Sequence, residues 1–196
     1  KCRAFKDFMK TSDNQILTYP ITNTVWNTNL QNEMPTDTEG YPTVVPFNTS
    51  QGQQRARIVI SAGGHLPIGE YLFLYDGVGQ LYFRGNITTL SASQGRISIR
   101  VNGTENLWID IESSTQGNHL RNFRLIRPQD ESNYLTQPFY QPFLEKICQF
   151  NPIRFMDWQA TNVSNLVNWS ERGKPNDRSQ TMRNGVSYEH IIQLAN

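Results

Sequence analysis

Between Arg55 and Arg127 apolar and polar residues alternate in short runs that end on glycine, asparagine or aspartate. Successive side chains of a strand point to opposite faces, so this period of two predicts half-buried β-strands separated by turns. Arg57–Ser61 ends at Gly63-Gly64, Tyr71–Tyr75 at Asp76-Gly77, and Gln80–Arg84 at Gly85-Asn86. Arg96–Val101 sends Ile97, Ile99 and Val101 inward. After Asn102-Gly103-Thr104, Leu107–Glu112 sends Leu107, Ile109 and Ile111 inward and Trp108, Asp110 and Glu112 outward, and a last strand runs from Leu120 to Arg127. Asp76-Gly77-Val78-Gly79 reads as a hairpin turn, because its glycines supply the positive φ a tight connection needs. It is not a phosphate loop, since neither a third glycine nor a helix follows. Tyr71, Phe73 and Tyr75 share one face of their strand and Leu72 and Leu74 the other, so the strand is either covered on both sides or exposes an aromatic stripe.

The flanks follow other rules. Residues 1–54 hold two short strand-like runs, Gln15–Tyr19 and Thr43–Phe47, among Asn, Thr, Pro and Gly, and Pro20, Pro35, Pro42 and Pro46 keep helices out. They are expected to form an irregular arm with edge strands. Residues 55–128 are the core of an antiparallel, jelly-roll-like β-sandwich, and 129–142 a linker over its surface. In 143–196, helical spacing that starts at Phe139 and runs through Phe143, Leu144, Ile147 and Phe150 predicts a short amphipathic helix. Ile153–Trp158 then reads as a buried strand. A second helix opens at Ser187 and His190 and carries Ile191, Ile192 and Leu194, with Asn196 falling inside it. Strand, long loop and helix make one β/α unit of a larger fold. The chain as a whole is therefore expected to be mainly β.

Charge narrows the partners. Lys and Arg number 18 against 17 Asp and Glu, so the net charge of +1 supplies no field for steering a polyanion, and nucleic acid is not expected. Asn, Gln, Ser and Thr together make up 63 of 196 residues, a surface of uncharged amides and hydroxyls typical of extracellular β-rich proteins. No apolar run approaches a membrane helix, so no membrane span is expected. Lys1–Phe5 lacks the apolar stretch of a signal peptide, and a secreted protein would be represented here by its mature chain. Asn48, Asn86, Asn102, Asn162 and Asn168 each begin an Asn-x-Ser/Thr glycosylation signal. Cys2 and Cys148 are an even pair without metal-ligand spacing. Either they are two buried thiols, or they form a disulfide that closes a loop of 147 residues, for which chain entropy gives at most about 5 kcal/mol. These features favour secretion.

Two stretches carry a resemblance. Leu66-Pro67-x-Gly69-x-Tyr71, Tyr75-Asp76-Gly77-x-Gly79 and Arg121-Asn122-Phe123-Arg124-Leu125-Ile126-x-Pro128 resemble the N-terminal sandwich of a group of large secreted proteins. Phe143-Leu144, Arg154-Phe155-Met156-Asp157-Trp158-x-x-Thr161-Asn162, Trp169, Arg172 and Glu189-x-x-Ile192-x-Leu194-Ala195-Asn196 resemble the opening β/α unit of the glycoside-hydrolase-like (β/α)8 barrel that follows it. The resemblance implies that Asp157, Trp158 and Asn162 face the sugar-binding end of such a barrel. The paired carboxylates of glycoside hydrolysis come from later barrel strands, which this sequence lacks. Asp157 alone cannot serve as both acid and nucleophile, so the chain is not expected to be an enzyme.

Outside that resemblance, Trp108 beside Asp110 has the makings of a sugar site: an aromatic face stacks on the C–H side of a pyranose while a carboxylate takes its hydroxyls. The alternative is that the arm, or a neighbouring chain, covers Trp108. His65, His119 and His190 are scattered without ligand partners, so neither metal nor cofactor is expected. The reading is a non-catalytic extracellular glycoprotein module for carbohydrate or matrix recognition. It can also be a self-assembling surface or filament component whose arm adds a strand to a neighbour. The alternative is the N-terminal portion of a secreted glycoside hydrolase.

Overall fold

The computed structural model describes residues 3–11, 16–63, 66–181 and 184–196. Nine strands among them form two antiparallel sheets. The five-stranded sheet holds β1 (Ile16–Pro20), β2 (Phe47–Thr49), β3 (Gly52–Ser61), β5 (Gly79–Arg84) and β8 (Leu107–Ser114) in the order β1-β3-β8-β5, with β2 also on β3. The four-stranded sheet runs β6 (Ile87–Ser93), β7 (Arg96–Val101), β4 (Gly69–Asp76) and β9 (Arg121–Ile126).

The inward positions of both sheets meet in one hydrophobic cluster, with Ile58, Ile60, Ile109 and Ile111 from the first and Tyr71, Phe73, Ile99, Phe123 and Leu125 from the second. Phe73 touches Phe83 of the other sheet edge-to-face, with ring centres 5.0 Å apart. Each such side chain is worth roughly 1.5–3 kcal/mol on burial, so this row is the main cohesive element. The second face of β4 is covered too, because Leu72 and Ile126 cluster with Tyr134 of the segment that follows β9.

Chain order and sheet order disagree in an instructive place. Asp76–Gly79 makes the tight turn expected of it, and Gly77 has φ +89°, but β4 and β5 belong to different sheets, so the turn is no hairpin. A Cβ on Gly77 would lie 1.9 Å from the His119 carbonyl oxygen, which leaves no room for another residue. Local sequence specifies the turn, while the choice of ladder partner is made by the inward rows. The strand β6 carried no alternation: its residues after Ile87 are all exposed, because it is an edge strand paired only with β7.

The N-terminal residues are more than a draped arm. Phe8, Met9, Tyr41, Val45 and Phe47 belong to the main cluster, and Val45 pairs with Ser114 through two backbone hydrogen bonds. The second strand-like run lies later than expected, at Phe47–Thr49, after a cis Val45–Pro46 bond.

The C-terminal residues form α1 (Gln141–Ile147) and α2 (Tyr188–Ala195). Ser187 caps α2, its side chain accepting from the His190 backbone N–H. The expected buried strand over Ile153–Trp158 is absent: the segment turns and none of its residues is buried, since no neighbouring strand among the described residues offers it a ladder. A small cluster of Ala4, Phe5, Phe139 and Val186, joined by Phe143, Leu144, Trp158, Ile191 and Leu194, holds this region to the N-terminus. No described helix is long and apolar enough to cross a membrane.

Candidate functional site

The outward face of the five-stranded sheet gathers the chemistry. Register pairs Arg57 with Asp110 and Val59 with Trp108 across β3 and β8, and Tyr82 with Asp110 and Arg84 with Trp108 across β5 and β8. Cross-strand partners on one face lie close enough to touch, so two arginines, one aspartate and two aromatic rings converge. The loop after β1 then folds over this face, anchored where Thr28 N–H donates to the Thr18 carbonyl at 2.8 Å. It brings Trp26 edge-to-face onto Trp108 with ring centres 5.0 Å apart.

Arg57 is the hub. Its guanidinium carbon lies 4.2 Å from the centre of the Trp26 ring and 4.4 Å from that of Tyr19. Its Nε donates to Asp110 Oδ1 at 2.5 Å, Nη1 to the Trp26 carbonyl at 3.2 Å and Nη2 to Asn23 Oδ1 at 3.2 Å. Asn23 reaches that position from a left-handed backbone, φ +51°, which asparagine tolerates. Arg84 Nε donates to the other Asp110 oxygen at 3.1 Å. A buried carboxylate is stable only when its lone pairs are met, and Asp110, 1% exposed, is met from both sides. Burial, and next the charges of Asp110 and Glu112, push the Tyr19 hydroxyl upward, so it stays protonated and donates to Glu112 at 3.4 Å.

Above this floor lies an open groove of about 370 Å³, lined by Asn23, Val25, Trp26, Arg84 and Trp108 among others. Val25 and Trp26 are about half exposed. The Trp108 indole N–H is buried without an acceptor among the described residues, a condition that buried donors rarely tolerate.

Trp108 and Asp110 thus sit together on the outward face, but the expectation that Asp110 stands free to take sugar hydroxyls is corrected. Its oxygens are occupied by two arginines, because the loop that covers the sheet removes it from water. Trp26, Arg57 and Arg84 complete the groove and were not singled out in the sequence. A tryptophan in the otherwise polar run Thr22–Asn29, and opposite charges inside two apolar strands, were the available signals.

Asp157 and Trp158 line a different cleft of about 400 Å³, with Phe5, Lys10, Gln180 and Val186. Trp158 stacks against Phe5 at 6.1 Å and Phe143 at 5.9 Å, so its ring serves packing. Nearby, burial lowers the Lys10 ammonium from its ordinary range, and its Nζ donates to the Asp177 carbonyl at 2.8 Å. Burial, followed by the charge of Lys10, lowers His190 to about 4. Ser187 Oγ lies 2.9 Å from His190 Nδ1, yet this is no nucleophile and base, since Ser187 is fully buried and occupied as a helix cap.

Asn48, Asn86, Asn102, Asn162 and Asn168 are all exposed. Cys148 carries an exposed free thiol with Sγ 3.2 Å from the Glu145 carbonyl, which corrects the reading of Cys148 as a buried thiol, and Cys2 lies outside the described residues. His65 also lies outside them, and His119 Nε2 pairs with Asp37 at 2.8 Å. Among the described residues no cluster of His, Cys, Asp and Glu could hold a metal. No family model, curated protein or solved structure matches the chain.

Proposed function

We propose that this chain is a non-catalytic extracellular module that recognises carbohydrate through the Trp26–Trp108 groove. The observation that carries the reading is that pair of rings, one half exposed, fixed at the rim of an open groove by the Arg57–Asp110 ion pair. A sugar ring offers C–H groups to an indole face and hydroxyls to adjacent donors, and the terminal nitrogens of Arg84, half exposed at the groove, are such donors. Five exposed glycosylation signals and the amide-rich surface support a secreted origin. The two sheets sharing one core support a jelly-roll-like sandwich. Asp110 is committed to two arginines and Asp157 lies in another cleft, so the two do not form the acid and nucleophile of a glycosidase.

A glycan array with the 196-residue chain tests this. Binding that is lost in Trp26→Ala and in Trp108→Ala is expected, and an array without a single hit overturns the reading.

A second reading is favoured by one observation. Phe150, Val163, Val167, Trp169 and Ile192 are exposed within 143–196, which supports further protein packing there, as in the N-terminal portion of a barrel glycoside hydrolase. Polysaccharide turnover by the full gene product, and none by these 196 residues, is its expected outcome.

A further inference from the structure

We infer that the groove selects a pyranose bearing a carboxylate over its neutral counterpart, an inference that rests on the carbohydrate reading above. The outward face carries Arg55, Arg57 and Arg84 against Asp110 and Glu112. Arg55 Nη1 is spent on Glu112 at 2.5 Å. Arg57 has all three of its nitrogens occupied by Asp110, Trp26 and Asn23. Arg84 differs. Only its Nε is engaged, on Asp110, its side chain is 47% exposed, and the described residues offer its two terminal nitrogens no acceptor.

One carboxylate is thus shared by two guanidiniums, and the face retains one uncompensated positive charge at the mouth of the groove. The Arg84 guanidinium carbon lies 5.6 Å from the centre of the Tyr82 ring, and Tyr82 is itself about half exposed. A planar guanidinium held at its Nε presents its two remaining nitrogens as a fork, the geometry that pairs with a carboxylate through two parallel hydrogen bonds. Trp26 and Trp108 supply the apolar shelf for the ring that carries it. Because the whole chain is nearly neutral, recognition comes from this single contact and not from a long-range field.

The test is calorimetric titration of the 196-residue chain with a galacturonate tetramer, its fully methyl-esterified form, sialyllactose and lactose. Each acid is expected to bind about tenfold more tightly than its neutral partner, the usual value of a hydrogen bond to a charged group. The uronate and sialate arms report which source of carboxylate fits. In Arg84→Gln the roughly tenfold ratio of acid to neutral affinity should fall to about one. Arg84→Lys should retain part of the preference, and Arg100→Gln on the other sheet should alter neither. Equal affinity of acid and neutral sugar in the unaltered chain, or a preference that survives Arg84→Gln, overturns the inference and leaves the carbohydrate reading standing. Absence of binding by all four probes overturns the inference, with the glycan array deciding the carbohydrate reading, and unchanged neutral-sugar affinity in Trp26→Ala overturns that reading's assignment of the groove.

Discussion

The stretch from β3 to β9 and the stretch from Phe143 to Asn196 both contain aromatic and branched apolar residues, yet they dispose of them differently. In the first, two rows of inward side chains close on each other, and Phe73, Ile99, Ile109, Ile111 and Leu125 are fully buried. In the second, Val186 is the one buried hydrophobic residue among those described, while Phe150, Ile153, Val163, Val167, Trp169, Tyr188 and Ile192 are exposed. Two helices of seven and eight residues are too short to persist on propensity alone. They are held by borrowed contacts with Ala4, Phe5 and Phe139. A sheet pair makes its own interior; two isolated helical turns must find one.

The sharpest way to break that contrast is to truncate one aromatic from each region. Phe73→Ala should cost about 3–5 kcal/mol, read as a common shift of fluorescence and circular-dichroism midpoints in urea, whereas Trp169→Ala should change them by less than about 0.5 kcal/mol. A larger effect at Trp169 would show that the C-terminal residues are integral to the core.

Arg57→Ala, next in size, leaves Asp110 buried with only Arg84 beside it and should destabilise by about 3 kcal/mol. Arg57→Lys should recover part of that, since the charge returns but the stacking on Trp26 and Tyr19 does not.

Acid should act first on the C-terminal region. His190 is lowered to about 4 by burial and by Lys10, so between pH 6.5 and 4 the unfolded chain binds a proton there that the folded chain does not. Stability is complete above about pH 6.5 and falls as the pH drops to 4, by on the order of 2 kcal/mol after allowance for partial exposure. Asp7 works the other way, because burial raises its carboxyl and protonation on acidification favours the folded state. Urea midpoints of the unaltered chain and of His190→Asn across this range separate the two: the His190 slope should disappear in the variant.

A smaller effect sharpens the comparison most. Ser187→Ala removes the cap of α2 and should cost about 1 kcal/mol. Hydrogen exchange should quicken over Tyr188–Ala195 and stay unchanged in β4 and β8. Quickening throughout would mean that helix and sheets unfold as one unit.

Several of these features were legible beforehand. β7 and β8 could be drawn from alternation alone, β4 from a short apolar run that ends on turn residues, and the cap at Ser187 from its spacing to His190. The edge strand β6 escaped because exposure on both faces leaves Thr, Ser and Ala with no period to detect. Ile153–Trp158 misled for the opposite reason: a run of apolar residues has the composition of a buried strand whether or not a partner strand exists. At the groove, Trp108 and Asp110 could be placed on one face by parity. The loop that brings Trp26 onto Trp108 is separated from it by about eighty positions and has no periodic pattern.

What the amino-acid order determined by itself was local: which side chains share a face, where φ must be positive, and that β-structure dominates. Those properties depend on neighbours a few bonds away. Only the tertiary structure decided that the Asp76–Gly79 turn joins two sheets, that Arg57 and Asp110 are buried together, and that a polar loop completes an aromatic groove. Each of those depends on which distant surfaces exclude water jointly, and that is a property of the assembled interior and not of any segment.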